Sequence, residues 1–167
     1  RKRIEILKDI KINDNRPTKR NKKQDIFLKG DLVLNDLRRA LDTFKTRSRA
    51  QILFHEVYLQ SCLPKIYGDD YKTYELFIKK KYLIEDENLH SLIMCPRRYG
   101  KTRSAIQFAA AAIVAIPSCQ IIVFSPGKRQ SELFMDVLKL EMDNLRKNGF
   151  DDFIVTKNNQ EVYKIQR

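Results

Sequence analysis

The apolar positions of this chain change period several times, and each change marks an element. Leu34, Leu37, Leu41 and Phe44 are spaced three, four and three, which predicts a helix over Leu32 to Phe44 with Asn35 or Asp36 capping its start. From Arg49 to Leu63, apolar residues (among them Ile52, Leu53, Phe54, Val57, Tyr58 and Leu59) occupy most of the helical circumference, so a helix here is packed on several sides, and Pro64 is expected to end it. Tyr71 to Leu83 reads as a further helix with an aromatic side (Tyr71, Tyr74, Phe77) and a basic run at Lys79, Lys80 and Lys81. Next comes a short apolar run, Leu92, Ile93 and Met94, which predicts a strand. An Ala-rich helix over Ala105 to Ile116, stopped by Pro117, carries Phe108 and Ile113 and suits close packing on a sheet. The continuous apolar run Ile121 to Phe124 has the pattern of a strand buried on both faces of a parallel sheet, and the two strands with their helix predict a right-handed βαβ crossover.

The remainder is simpler. Ser131 to Lys147 is amphipathic, with Leu133, Phe134, Val137, Leu138, Met142 and Leu145 inward and Gly149 placed to cap its end. Phe153 to Val155 and Val162 to Ile165 read as strands around the turn Lys157-Asn158-Asn159-Gln160. At the other end, residues 1–30 are charged and weakly periodic, a basic flexible arm in which Ile4, Ile6, Leu7 and Ile10 form a short docking element. Its run from Arg16 to Lys23 reads equally as a solvated tail or as a nuclear-localisation or DNA-contact patch.

Composition narrows the class of partner. The 167 residues suffice for one domain plus an arm, and 43% hydrophobic content is that of a soluble globular protein. A net charge of +12 points to a polyanion such as nucleic acid, without separating DNA from RNA or an acidic membrane. Cys62, Cys95 and Cys119 are odd in number and widely spaced, and only His55 and His90 accompany them, so neither a disulfide framework nor a zinc site is expected. The longest apolar run, Phe108 to Pro117, is half of the roughly 20 residues a bilayer span requires. With a basic start at Arg1 in place of a signal peptide, the expected compartment is the cytoplasm or the nucleus, and no membrane partner is expected.

The candidate chemistry lies in Cys95-Pro96-Arg97-Arg98-Tyr99-Gly100-Lys101-Thr102, between a predicted strand and a predicted helix. Unpaired first-turn N–H groups and the helix dipole favour an anion at such a helix start. Gly100 allows close backbone approach, Lys101 reaches β- and γ-phosphates as a compact charge, and the Thr102 hydroxyl completes the shell of a Mg²⁺ ion. The spacing departs from G-x-x-x-x-G-K-[ST] at its first position, where Cys95 replaces glycine. A plain helix start with a solvated basic turn is the bland alternative. Gln51 is a candidate reader of adenine, since an amide donates and accepts at once, although its default role is that of a polar residue at the core edge. Lys128 and Arg129 follow the turn Ser125-Pro126-Gly127 at the end of the second predicted strand and read equally as DNA contacts or as a simple helix start.

The spelling of the loop resembles the deviant Walker A loop of viral DNA-packaging terminase large subunits of the herpesvirus and tailed-phage type, in which Pro-Arg-Arg precedes an aromatic residue or His and Gly-Lys-Thr. Similarity extends over Ile121 to Arg129 and more weakly over Arg49 to Arg167. The resemblance implies an α/β fold, the P-loop NTPase (ASCE/RecA-like) αβα sandwich, of which this chain holds a part: 1–30 the arm, 31–88 a helical subregion, 89–167 the first part of the ATPase core. It also implies ATP and Mg²⁺ as cofactors and double-stranded DNA as the substrate moved. The expected assembly is a homo-oligomeric ring on a capsid portal, with a small terminase subunit as a further partner. Pro96, Arg97, Arg98, Tyr99, Gly100, Lys101 and Thr102 would bind nucleotide, with Arg97 and Lys101 catalytic and Arg97 acting in cis on the γ-phosphate.

Hydrolysis needs more than a cradle. An Asp must help hold Mg²⁺ and a carboxylate must orient the attacking water. After Thr102 neither is evident: Asp136 and Glu141 sit on a predicted helix, and Asp151 and Asp152 precede apolar residues instead of following them. Glu85-Asp86-Glu87 follows too short an apolar run and comes before the loop. In the resembled family the acidic strand, a coupling motif and a metal-dependent nuclease domain lie further along, so the resemblance implies a longer protein, of which these residues alone should bind nucleotide weakly and hydrolyse little. A helicase-like NTPase and a non-enzymatic basic DNA-binding domain with a degenerate loop are the alternatives. The motor interpretation requires the amides of this turn to wrap a triphosphate beside a sheet; a turn splayed open or buried under another element, with no sheet beside it, would leave only a positively charged globular domain.

Overall fold

The computed structural model describes residues 22–82, 92–159 and 161–166. Among them the chain is mostly helical: α1 (Lys22–Asp42), α2 (Arg49–Tyr67), a 3₁₀ turn (Gly68–Asp70), α3 (Tyr71–Tyr82), α4 (Lys101–Ala115), α5 (Lys128–Lys147), and a two-stranded antiparallel sheet of β1 (Ile154–Asn158) and β2 (Tyr163–Gln166). The docking element at Ile4 to Ile10, most of the basic run from Arg16, and Glu85-Asp86-Glu87 lie outside the described residues.

α4 is the centre of the packing. Ala109, Ala110, Ala111, Ala112, Val114 and Ala115 are all buried, and the helix touches α1, α2 and α5. Alanine lets helix axes approach closely while contributing full helix propensity, so one small-residue helix supports three neighbours. α1 brings Leu34, Leu37, Leu41 and Phe44, as its spacing predicts, with Ala40 between them. The α2–α4 contact is aromatic: Tyr58 and His55 lie with ring centroids 5.1 and 6.1 Å from Phe108.

Two helix ends differ from expectation. α1 begins at Lys22, ten residues before Leu32, and runs through Asn35 and Asp36; Asp36 pairs with Arg39 on the exposed side at 3.2 Å and caps nothing. α2 continues through Pro64 to Tyr67 and stops at Gly68, whose φ of +62° is the left-handed conformation that favours glycine. A proline removes one N–H and strains the preceding turn, but the last turn of α2 is anchored from outside. The Tyr67 hydroxyl donates to Asp31 Oδ1 at 2.8 Å, and its ring lies flush against Gly30, where a Cβ would collide with it. Asp31 also accepts from the Tyr82 hydroxyl at 3.0 Å and from Lys81 at 2.8 Å, so one carboxylate ties α1, α2 and α3 together.

α5 ends as its sequence implies. Gly149 has φ +89°, its N–H donates to the Arg146 carbonyl at 3.2 Å, and the Phe150 N–H donates to the Leu145 carbonyl at 3.1 Å, which is a Schellman closure with Leu145 and Phe150 both buried. The hairpin forms near its expected place, with Ile154 opposite Gln166 and a register irregularity between Val155 and Lys157.

The expected parallel sheet is not found among the described residues. Residues 92–96 and 121–125 have no regular secondary structure, and no strand pairs with either. A strand exists by hydrogen-bonding to a neighbour about 4.8 Å away, and these two segments have none there. Their apolar side chains consequently face outward: Leu92 is 86% and Phe124 91% exposed. The two segments stand on either side of α4 in sequence, as a crossover would place them, without the sheet that would define its hand.

Candidate functional site

The loop is built by backbone geometry more than by side-chain contacts. Arg98 has φ +65° and Gly100 φ +82°, ψ +16°, while Tyr99 between them has no positive φ. Left-handed residues set in this way curve successive N–H groups into a concavity, and in a non-glycine residue such as Arg98 the conformation costs about 1–2 kcal/mol. Gly100 is the N-cap of α4, and no side chain caps that end. The Ser104 N–H closes the first helical bond on the Gly100 carbonyl at 2.9 Å.

Charge gathers at this helix start. Arg97, Arg98, Lys101, Thr102 and Arg103 are exposed. Arg103 pairs with Glu141 of α5 at 2.8 Å, the carboxylate being buried and the guanidinium largely exposed. Among the described residues no carboxylate pairs with Arg97, Arg98 or Lys101. The Lys101 ammonium donates to the Cys95 carbonyl at 3.2 Å, bridging the two ends of the loop. An anion seated over these N–H groups would meet three cations and the positive end of the α4 dipole.

Gln51 lies beside the loop, in a different role from the one its chemistry suggests. Ser48 and Gln51 form a capping box at the start of α2: the Gln51 N–H donates to Ser48 Oγ at 3.3 Å and the Ser48 N–H donates to Gln51 Oε1 at 2.9 Å. Gln51 Nε2 then donates to the Gly100 carbonyl at 3.4 Å, and a Cβ on Gly100 would come within 2.8 Å of that nitrogen. Glycine at 100 thus serves both the left-handed turn and the approach of this amide. To read adenine, Gln51 would release both of its partners. The capping box was legible as Ser48-x-x-Gln51; its reach to Gly100 was not.

One turn further along α2, His55 repeats the contact one turn further along α4. Its ring is 2% exposed, with Nε2 3.0 Å from the Ser104 carbonyl and Nδ1 3.3 Å from Arg47 Nη1. A carbonyl only accepts and a guanidinium only donates, so the neutral imidazole with its proton on Nε2 satisfies both. Burial, aided by the Arg47 charge, lowers its pKa to about 4 from 6.5, against the raising effect of the Ser104 bond. The unfolded chain therefore takes up a proton first, and the stability this site confers is present in full above about pH 6.5 and lost as pH falls towards 4. The expected loss is about 3 kcal/mol. Urea midpoints at pH 7.5 and 4.5 for wild type and His55→Gln check this: the acid destabilisation should shrink by about that amount in the variant.

Lys128 and Arg129 open α5 behind the N-cap Gly127, exposed, with Lys128 3.7 Å from Glu132. Lys128 borders an open cleft of 1320 Å³ whose walls include Ile113, Cys119, Ile121, Phe134, Met135 and Ile165, and which contains none of Pro96 to Thr102. Gln51 is hydrogen-bonded to the loop, and among the described residues no hydrogen bond or ion pair joins Lys128 or Arg129 to it. Among the described residues no group of His, Cys, Asp or Glu side chains could hold a metal, the three cysteines are free, and no helix is long and apolar enough to cross a membrane. A Mg²⁺ held by nucleotide oxygens and one hydroxyl is compatible with the exposed Thr102, which needs no such group. No protein-family model, curated protein or solved structure matches the chain.

Proposed function

We propose that these residues form the nucleotide-binding part of a viral terminase-type packaging ATPase, a P-loop NTPase core whose remaining strands and acidic residues are supplied by further sequence. The observation that carries it is the loop itself: Arg97-Arg98-Tyr99-Gly100-Lys101-Thr102 arranged as a left-handed turn into an uncapped, solvent-facing helix start, with three cations unpaired among the described residues. The turn is exposed, with its two ends bridged by Lys101 and the Cys95 carbonyl; the sheet that this reading requires beside it is not formed within the described residues, and the two apolar segments that would supply it lie exposed.

In this function the backbone N–H groups at 100–103 and the Lys101 ammonium bind the phosphates, and the Thr102 hydroxyl contributes to Mg²⁺ held mainly by phosphate oxygens and water. Bound Mg²⁺ would neutralise charge on the β- and γ-oxygens. Arg97 directs its guanidinium at the terminal phosphoryl, where negative charge develops during transfer. The full motor would couple this to movement of double-stranded DNA through a ring on a capsid portal, in the nucleus or cytoplasm of a host cell. The net charge of +12 suits that polyanion.

Calorimetric titration of Mg-ATP tests the first step. Saturable binding, competed by ADP and weakened without Mg²⁺, is the expected result. A basic DNA-binding domain with a degenerate loop would bind duplex DNA and show no nucleotide heat at all.

A further inference from the structure

α2 and α4 are joined by two rungs of the same ladder: Gln51 to the Gly100 carbonyl and His55 to the Ser104 carbonyl, each pair one helical turn from the other. The second rung is the shorter and the more buried. It is also held from behind. Arg47, in the connection between α1 and α2, donates through Nη1 to His55 Nδ1 and through Nη2 to Asp42 Oδ1 at 2.6 Å, so a continuous chain runs from the end of α1 to the first turn of α4. We infer that His55 is a positioning residue of the phosphate loop: its Nε2–H, donated to the Ser104 carbonyl, sets where α4 begins, and Arg47 holds the imidazole in the one tautomer that can donate there.

The chemistry of the neighbours makes the arrangement one-sided. The groups around the ring are the Arg47 guanidinium with its Asp42 partner on one side, and the Ser104 carbonyl and the Phe108 ring on the α4 side. Among the described residues no carboxylate bonds to the imidazole, so nothing compensates a positive charge on it. Protonation would place an N–H on Nδ1 facing the N–H of Arg47, two donors and two like charges with no acceptor between them. Either Arg47 withdraws or the ring turns, and turning the ring releases the Ser104 carbonyl. Acid should therefore loosen the start of α4 before it unfolds α5, which contributes no residue to the network of Asp42, Arg47, His55 and Ser104. The importance of the device for nucleotide rests on the function proposed above; the device itself does not.

Hydrogen exchange of the backbone amides at 104–108, the first hydrogen-bonded turn of α4, compared with those of α5, separates the two. In His55→Leu at pH 7.5, protection at 104–108 is expected to fall about tenfold while α5 is unchanged, and His55→Gln, whose amide can donate to the same carbonyl, should recover most of it. Wild type at pH 4.5, corrected for intrinsic exchange rates, should show the same selective loss, so the comparison survives even if a variant fails to fold. Mg-ATP affinity, measured on the same proteins, should follow the protection of this turn. Selective loss of protection with no nucleotide binding by any form would support His55 as a positioning residue and remove the nucleotide function. Protection at 104–108 that is unchanged, or that is lost together with α5, overturns the inference whatever the nucleotide data show.

Discussion

Arg97→Ala, under the proposed function, is expected to retain most of the Mg-ATP affinity and to lower the turnover of a protein that also carries the acidic strand by about 10³ to 10⁵, the range associated with a guanidinium that stabilises phosphoryl transfer. The separation of the two effects follows from where charge appears. In the proposed function ground-state phosphates would be met by the helix start and by Lys101, whereas the terminal phosphoryl would gain its need for a donor fork as bonding to the leaving oxygen weakens. Arg97 is exposed, sits at the turn before the helix, and has no ion-pair partner among the described residues, so its removal leaves no buried charge and should not disturb folding. Single-turnover hydrolysis against equilibrium binding, with Arg97→Lys as the comparison, checks the assignment. Equal hydrolysis by wild type and Arg97→Ala would remove Arg97 from its role and leave Arg98 as the guanidinium to test.

Lys101→Ala should behave in the opposite way, losing binding itself by roughly 100-fold, enough to take Mg-ATP below detection in an ordinary titration. The ammonium stands at the first position of α4, where it adds a full charge to the partial charge of the helix end, and among the described residues it donates to the Cys95 carbonyl. That contact is exposed, so the thermal midpoint should barely move. The ammonium has three N–H donors, so it can keep the Cys95 carbonyl and meet a phosphate as well, and the alanine variant lacks both the contact and the charge. Lys101→Ala binding Mg-ATP as wild type does, with the fold intact, would mean that the triphosphate is not held at this turn.

The helices were legible because their information is local. The three-four-three spacing of Leu34, Leu37, Leu41 and Phe44 becomes the buried face of α1, and Gly149 closes α5. What could not be read was set by distant partners. Pro64 fails to end α2 because Tyr67 is secured by Asp31 and fitted against Gly30, residues far earlier in the chain. The runs at 92–94 and 121–124 carry strand composition, but a strand is a relation between two segments, and neither run has its second segment among the described residues. At the site, the loop residues and the helix start were evident from their order. The ladder from Gln51 and His55 was not, because each rung spans 49 residues and ends on a carbonyl, a group every residue possesses.

Cys95, standing where the phosphate-loop pattern has glycine, places a half-buried thiol at the start of the loop, on the residue whose carbonyl receives Lys101. Burial pushes the Cys62 thiol up to about 11 and raises that of Cys119 as well, so both are slow to form thiolate at neutral pH. With Cys62 and Cys119 replaced by alanine, a maleimide dye on position 95 turns the absent glycine into an optical reporter of whatever enters the loop.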